Sequence, residues 1–101
     1  MEHMLNYHKL RGLVISGKEP EKLEKILKGI DEKGKFIINQ KYKNDTLIQT
    51  AACLGHTNIT EILLKHGADP KIQNKNGTAL HTAAAFRRLG VMEALLKHDP
   101  S

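Results

Sequence analysis

The chain has no tryptophan, and its aromatic residues amount to two tyrosines and two phenylalanines. A core built on large rings is therefore excluded, and burial falls to leucine, isoleucine, valine and alanine. Small aliphatic cores of that kind suit closely packed helices better than a sandwich of strands. A single cysteine, Cys53, excludes an internal disulfide framework and fits the cytoplasm or another reducing intracellular compartment. No apolar run approaches the ~20 residues of a membrane span, so no membrane partner is expected. The amino-terminal apolar stretch is broken at Arg11 and Gly12 and lacks the uninterrupted centre of a signal peptide, although a nonclassical secretion signal would leave no such mark. Neither sign of charge dominates. Sixteen Lys and Arg against eleven Asp and Glu give +5, which tolerates acidic partners but is modest for a nucleic-acid binder. At 101 residues one domain is expected, with the marginal burial of that size.

What is present is repetition. "LLKHGADP" begins at Leu63 and "LLKHDP" at Leu95. Sliding the chain by 32 positions lays residues 43–66 over 75–98, and 11 of the 24 pairs are identical: Lys43, Asn44, Thr46, Thr50, Ala51, Ala52, Glu61, Leu63, Leu64, Lys65 and His66 each meet their own kind. Chance would give roughly one or two. A period of this length reads as a stacked array of supersecondary units.

One unit has a readable shape. Thr46 caps a short helix carrying Ile48, Ala51 and Ala52, which Gly55 ends. After His56, Thr57 or Asn58 caps a second helix whose stripe is Ile59, Ile62, Leu63 and His66, stopped by Gly67 and by Asp69 with Pro70. The polar segment that follows ends in Asn76-Gly77, a tight-turn signal. Neither helix can bury its apolar face alone, so neighbouring units must stack. The Ala51-Ala52 and Ala83-Ala84 pairs suit that, because a side chain ending at Cβ admits a close neighbour.

These residues resemble the ankyrin repeat. "NGTALHTAA" from Asn76 is similar to the family's opening turn and first helix, and "GHTNITEILLKHGADP" from Gly55 to its second helix and Gly-Ala-Asp terminus. Departures are visible. Both openings are one residue short before Thr46 and Thr78, Leu47 and Ala79 stand where the family has proline, and Gln49 stands where it has histidine. Arg87 and Arg88 replace the Gly-His pair, which is expected to shift the last helix boundary toward Gly90. The resemblance implies an all-α, ankyrin-type helix-turn-helix solenoid of about three stacked repeats with projecting β-turn loops. Residues 1–38 form a degenerate capping unit, with Leu10, Leu13, Val14 and Gly17 on one helix, Leu23, Ile26, Leu27 and Ile30 on the next, and Pro20 in the latter's first turn. Residues 39–70 and 71–101 form the second and third units. At the far end, either Leu95 and Leu96 stay partly exposed or the natural protein continues; the sequence is compatible with both.

Candidate chemistry is thin. His66 and His98 are repeat equivalents, about 10 Å apart if their helices stack, whereas one zinc needs donors at about 2.0 Å. The resemblance assigns His56 and His81 to local turn hydrogen bonds, and His3 and His8 fall in a terminus read as unordered surface. Cys53 with His56 lacks an oxyanion donor or an orienting third group. No phosphate loop, catalytic carboxylate pair or zinc-type cysteine pair is present. Glu61 and Glu93 are read as solvated or paired with Lys65 and Lys97 four residues on. No catalytic residue, metal or cofactor is therefore expected.

The resemblance implies a noncatalytic protein-interaction module or scaffold, monomeric, that holds a partner protein on a concave face of loop tips and first-helix surface. Carried onto this sequence, that face contains Tyr42, Lys43, Asp45, Cys53 and Leu54 in one unit and Asn74, Lys75, Asn76, Ala85 and Phe86 in the next. Tyr42, Leu54 and Phe86 are the apolar anchors, although Phe86 reads equally as a cover for the Arg87-Arg88 turn. The alternative is a nucleic-acid contact through Lys41, Lys43, Lys71 and Lys75, which the modest net charge disfavours.

Overall fold

The computed structural model describes residues 2–30 and 35–98. Six α-helices follow one another with no strand among the described residues: α1 (Glu2–Ser16), α2 (Pro20–Gly29), α3 (Leu47–Leu54), α4 (Thr57–Lys65), α5 (Ala79–Ala85) and α6 (Leu89–His98). A 3-10 turn at Lys35–Asn39 lies between α2 and α3. The helices form two layers, because α3 packs against both α1 and α5 while α4 packs against both α2 and α6. Each first-layer helix also packs on its successor in the second layer, giving the pairs α1 with α2, α3 with α4 and α5 with α6. The core between the layers is aliphatic, with Leu10, Val14, Leu23, Ile48, Leu63 and Val91 all fully buried.

Local chemistry sets where the helices begin. Thr46 and Thr78 take extended backbone and cap α3 and α5, each within a reciprocal capping box whose third helical residue is Gln49 or His81. Pro20 opens α2, where its missing N–H costs nothing. For α4 the structure corrects the expected cap. His56 occupies that position without a side-chain bond to the helix, and Thr57 is already helical. The His56 ring is committed elsewhere, its Nε2 donating to the Ile15 carbonyl of α1 at 3.1 Å.

That bond recurs one unit later. Arg88 stands where His56 does in the repeat, and its Nε donates to the Cys53 carbonyl at 3.0 Å. Ile15 and Cys53 each lie two residues before a glycine with positive φ, Gly17 (+66°) and Gly55 (+78°). A Cβ on Gly17 would come within 2.7 Å of the His56 ring, and one on Gly55 within 2.8 Å of Arg88 Cδ. Each glycine thus turns the chain and clears a path for the next unit's donor to reach orphan carbonyls at a helix C-terminus.

Other expectations are corrected. The terminus read as unordered is helical from Glu2 onward. The last helix boundary does not move, since α6 starts at Leu89, level with Thr57 of α4. Arg87 takes up the left-handed conformation (φ +57°) that Gly55 adopts, so the turn survives the exchange. Gly90 serves close approach, because a Cβ there would meet Thr57 Oγ1 at 2.5 Å. Leu95 is buried whereas Leu96 is exposed. Ala84 is exposed, unlike its equivalent Ala52, which packs under the neighbouring unit.

Lys65 does not turn to Glu61 within its own helix. Its Nζ meets Glu24 of α2 at 3.1 Å, and His66 Nε2 meets the same carboxylate oxygen at 3.3 Å. These two bonds hold the Glu24 carboxyl below its ordinary range. A depressed pKa contributes stability above the unfolded value, and that contribution is lost as pH falls through the folded one. Glu24→Gln should therefore lower the Tm slightly at neutral pH, and the gap to wild type should close on acidification. A gap that stayed constant down to pH about 3, below the carboxylate range, would show that the pair does not act through Glu24 ionisation.

Candidate functional site

The side of the molecule carrying the two hairpins is built from the segments that precede α3 and α5. Tyr42 and Asp45 exchange backbone hydrogen bonds (2.8 and 3.1 Å) around Lys43 and Asn44, both with positive φ as a type I′ turn requires. Asn74 and Gly77 exchange the same pair of bonds around Lys75 and Asn76, the positive φ here falling on Gly77 (+102°), with Asn74 Oδ1 accepting from Asn76 N at 2.8 Å. The hairpins are tied together. Asn74 Nδ2 donates to Asp45 Oδ1 at 2.6 Å, and Lys41 Nζ donates to the Gln73 carbonyl at 2.6 Å. Asn39 clamps the other side of the junction, donating to the Gly67 carbonyl and accepting from Asp69 N.

Asp45 Oδ1 and Asn74 Nδ2 are therefore spent on each other, and Asn74 Oδ1 on its own turn. Lys43, Lys75 and Asn76 stand exposed at the hairpin tips. Tyr42 is half-buried rather than projecting: the Arg11 guanidinium lies 4.8 Å from its ring centroid and Lys43 Nζ 5.5 Å. His8 packs edge-on against the same ring at 5.4 Å, and Tyr7 lies at 6.1 Å. Burial pushes the Tyr7 hydroxyl's pKa up, with the nearby Arg11 acting in the opposite sense. Tyr42 thus belongs to a cation-aromatic cluster joining the first hairpin to α1.

At the other end of the first-layer helices, Leu54 is 39% and Phe86 54% exposed. They are repeat equivalents, one unit apart. Ala85 beside Phe86 is exposed, and Cys53 beside Leu54 is a half-buried free thiol. Ile15 of α1, at 41% exposure, extends this apolar ridge into the first unit. The sequence reading left out Ile15 and Arg11, although aligning Gly17 on Gly55 puts Ile15 level with Cys53.

The surface presents hydrogen-bond donors, cations and apolar side chains on a scaffold of packed helices. Among the described residues, no three His, Cys, Asp or Glu side chains gather to hold a metal ion. No helix there is long and apolar enough to cross a membrane. A family model described as ankyrin repeats, three copies, matches residues 13–101. No curated protein matches the chain.

Proposed function

Because the chain belongs to the ankyrin-repeat family, whose members generally mediate protein-protein interactions and are typically noncatalytic, we propose that it binds a partner protein on its hairpin and first-layer side. The observation that carries this reading is the pair Leu54 and Phe86, large apolar groups left exposed at equivalent positions of two units; Leu89 and Leu96 of α6 are exposed too, but have no exposed apolar counterpart on α4. Repetition supports an extended contact, since one partner segment can meet the same chemistry twice at a spacing of about 10 Å.

The test uses Leu54→Ser/Phe86→Ser. Tyr42 is left alone, because its ring is packed into the cluster with Arg11 and Tyr7. Circular dichroism should show an unchanged fold, while capture of the partner from lysate, with nuclease present, should fall by an order of magnitude or more, as hot-spot loss predicts. Undiminished capture by a folded variant would sink this assignment of the surface. Capture abolished by nuclease would point to nucleic acid instead.

A further inference from the structure

The second-layer helices carry charges of both signs, with Glu21, Glu24, Lys22, Lys25 and Lys28 on α2, Glu61 and Lys65 on α4 and Glu93 and Lys97 on α6, whereas α3 and α5 contain no charged residue. Arg11, Lys41, Lys43 and Lys75 stand on the hairpin side. The carboxylate among them, Asp45, is already engaged by Asn74 Nδ2. Arg11 and Lys43 face an aromatic ring, which leaves their N–H donors directed away from that ring available to an anion. By contrast, the ion pairs Glu19–Lys22 and Glu24–Lys65 lie on the second-layer side.

We propose that the partner segment is acidic, with carboxylates along the edge that meets Arg11, Lys43 and Lys75, and apolar side chains along the edge that meets Leu54 and Phe86. This rests on the protein-binding reading above and names the partner's chemistry. The two rows lie at opposite ends of the first-layer helices. Helix α3 has eight residues, about 12 Å at 1.5 Å per residue, and the hairpin tips lie beyond its start, so the rows are at least about 12 Å apart, a span that one helix about 10–12 Å across bridges with the reach of its own glutamates and of the lysine stems. An amphipathic acidic helix laid across α3 and α5 therefore touches both rows. Sites about 10 Å apart along each row correspond to roughly seven residues, two turns, of such a helix.

Nucleic acid fits this surface less well. Base stacking beside a phosphate backbone needs an open aromatic face near the cations, but the Tyr42 ring is covered by two cations and Tyr7 is buried, while the exposed Phe86 ring stands at the opposite end of the first-layer helices from Lys43 and Lys75. The exposed apolar ridge has no phosphate to meet.

The probe is a labelled helical peptide of about 18 residues, five turns, with glutamates on one flank and leucines on the other. It is titrated by fluorescence anisotropy at about 50 and about 300 mM salt, which bracket the range where exposed charges become screened. Controls are the same peptide with every Glu→Gln and a labelled single-stranded oligothymidylate. The glutamate peptide should bind about tenfold more tightly than its glutamine form, and Lys43→Glu/Lys75→Glu should erase that difference, a change of roughly 1.4 kcal/mol. Leu54→Ser/Phe86→Ser should weaken both peptides.

Equal binding of the two peptides, or no loss in the charge-reversed variant, would overturn the acidic assignment while leaving an apolar binding surface intact. Loss in neither variant would remove the surface itself. Failure of the glutamate peptide to bind at low salt, or tighter binding of the oligonucleotide, would likewise refute the proposal.

Discussion

Replacing Leu64 by alanine should cost about 2–4 kcal/mol, whereas the same replacement at Leu96 should stay within about 0.5 kcal/mol. The two leucines occupy the same place in the repeated Leu-Leu-Lys-His word. They differ in what stands beside them. Leu64 is 5% exposed and lines the groove where α4 meets Gly90 and Ala94 of α6, whereas Leu96 on α6 is 58% exposed. Truncating Leu64 opens space between two units of a stack whose cohesion is nearest-neighbour contact, and the cost falls on that interface. For a domain with an expected stability of about 5–15 kcal/mol, that is a large fraction. At about 4–8 °C per kcal/mol, the Tm should drop by roughly 8–32 °C. Urea denaturation of both variants beside wild type decides the matter. Equal losses at the two positions would mean that Leu96 is covered in solution, and sedimentation would then show association.

The contrast marks what a repeat sequence can and cannot disclose. The Thr46 cap was legible because it follows a local rule, and the resemblance placed His81 in a local turn bond; the reciprocal boxes that Gln49 and His81 complete were not read. The helix pairs were legible, as was most of the buried stripe, Ile48, Ala51, Ile59 and Leu63, because helical spacing and the 32-residue register agree there. What escaped depends on a neighbour. Glu61 was read as solvated or paired with Lys65 by the i,i+4 rule, yet Lys65 reaches Glu24 of the preceding unit, on which His66 converges too. Ile37 and Ile38 sit in the connection between α2 and α3, for which the sequence suggested no element, and both are buried in the core. No helical period marks them, since a single 3-10 turn is too short to show one.

The candidate surface was legible in outline only. Repeat alignment located Leu54 and Phe86 as an equivalent pair, but it could not say that Tyr42 would be enclosed by Arg11, Lys43 and His8. That enclosure comes from α1, in the unit whose residues match the other two least. The same unit supplies the Ile15 carbonyl that receives His56, so its degeneracy in sequence conceals a conserved geometry of stacking: a donor from each unit reaches the end of the helix before it.

Gln49→Ala should destabilise the protein by about 2–4 kcal/mol, and His81→Ala by about 1 kcal/mol or less. Both side chains accept from the backbone N–H of their capping threonine, Gln49 Oε1 from Thr46 at 2.8 Å and His81 Nδ1 from Thr78 at 3.1 Å. Gln49 does more. Its Nε2 donates to the Ile72 carbonyl at 2.9 Å and approaches that of Gly77 at 3.4 Å, bonding α3 to the next unit's hairpin segment. Thr46 is fully buried, so truncation strands its N–H out of reach of water and leaves the Ile72 carbonyl without that donor. His81 is exposed, and water can replace what its removal takes away. Gln49→Glu separates the two roles. The carboxylate can still accept from Thr46, but it would face two carbonyl oxygens, which raises its pKa because only the protonated form can donate to them. Its stability deficit should therefore shrink as pH falls through that raised value, while the deficit of Gln49→Ala should not follow that pattern. Parallel pH profiles for the two variants would show that the cap alone accounts for the effect of Gln49, and that the bond between units contributes little.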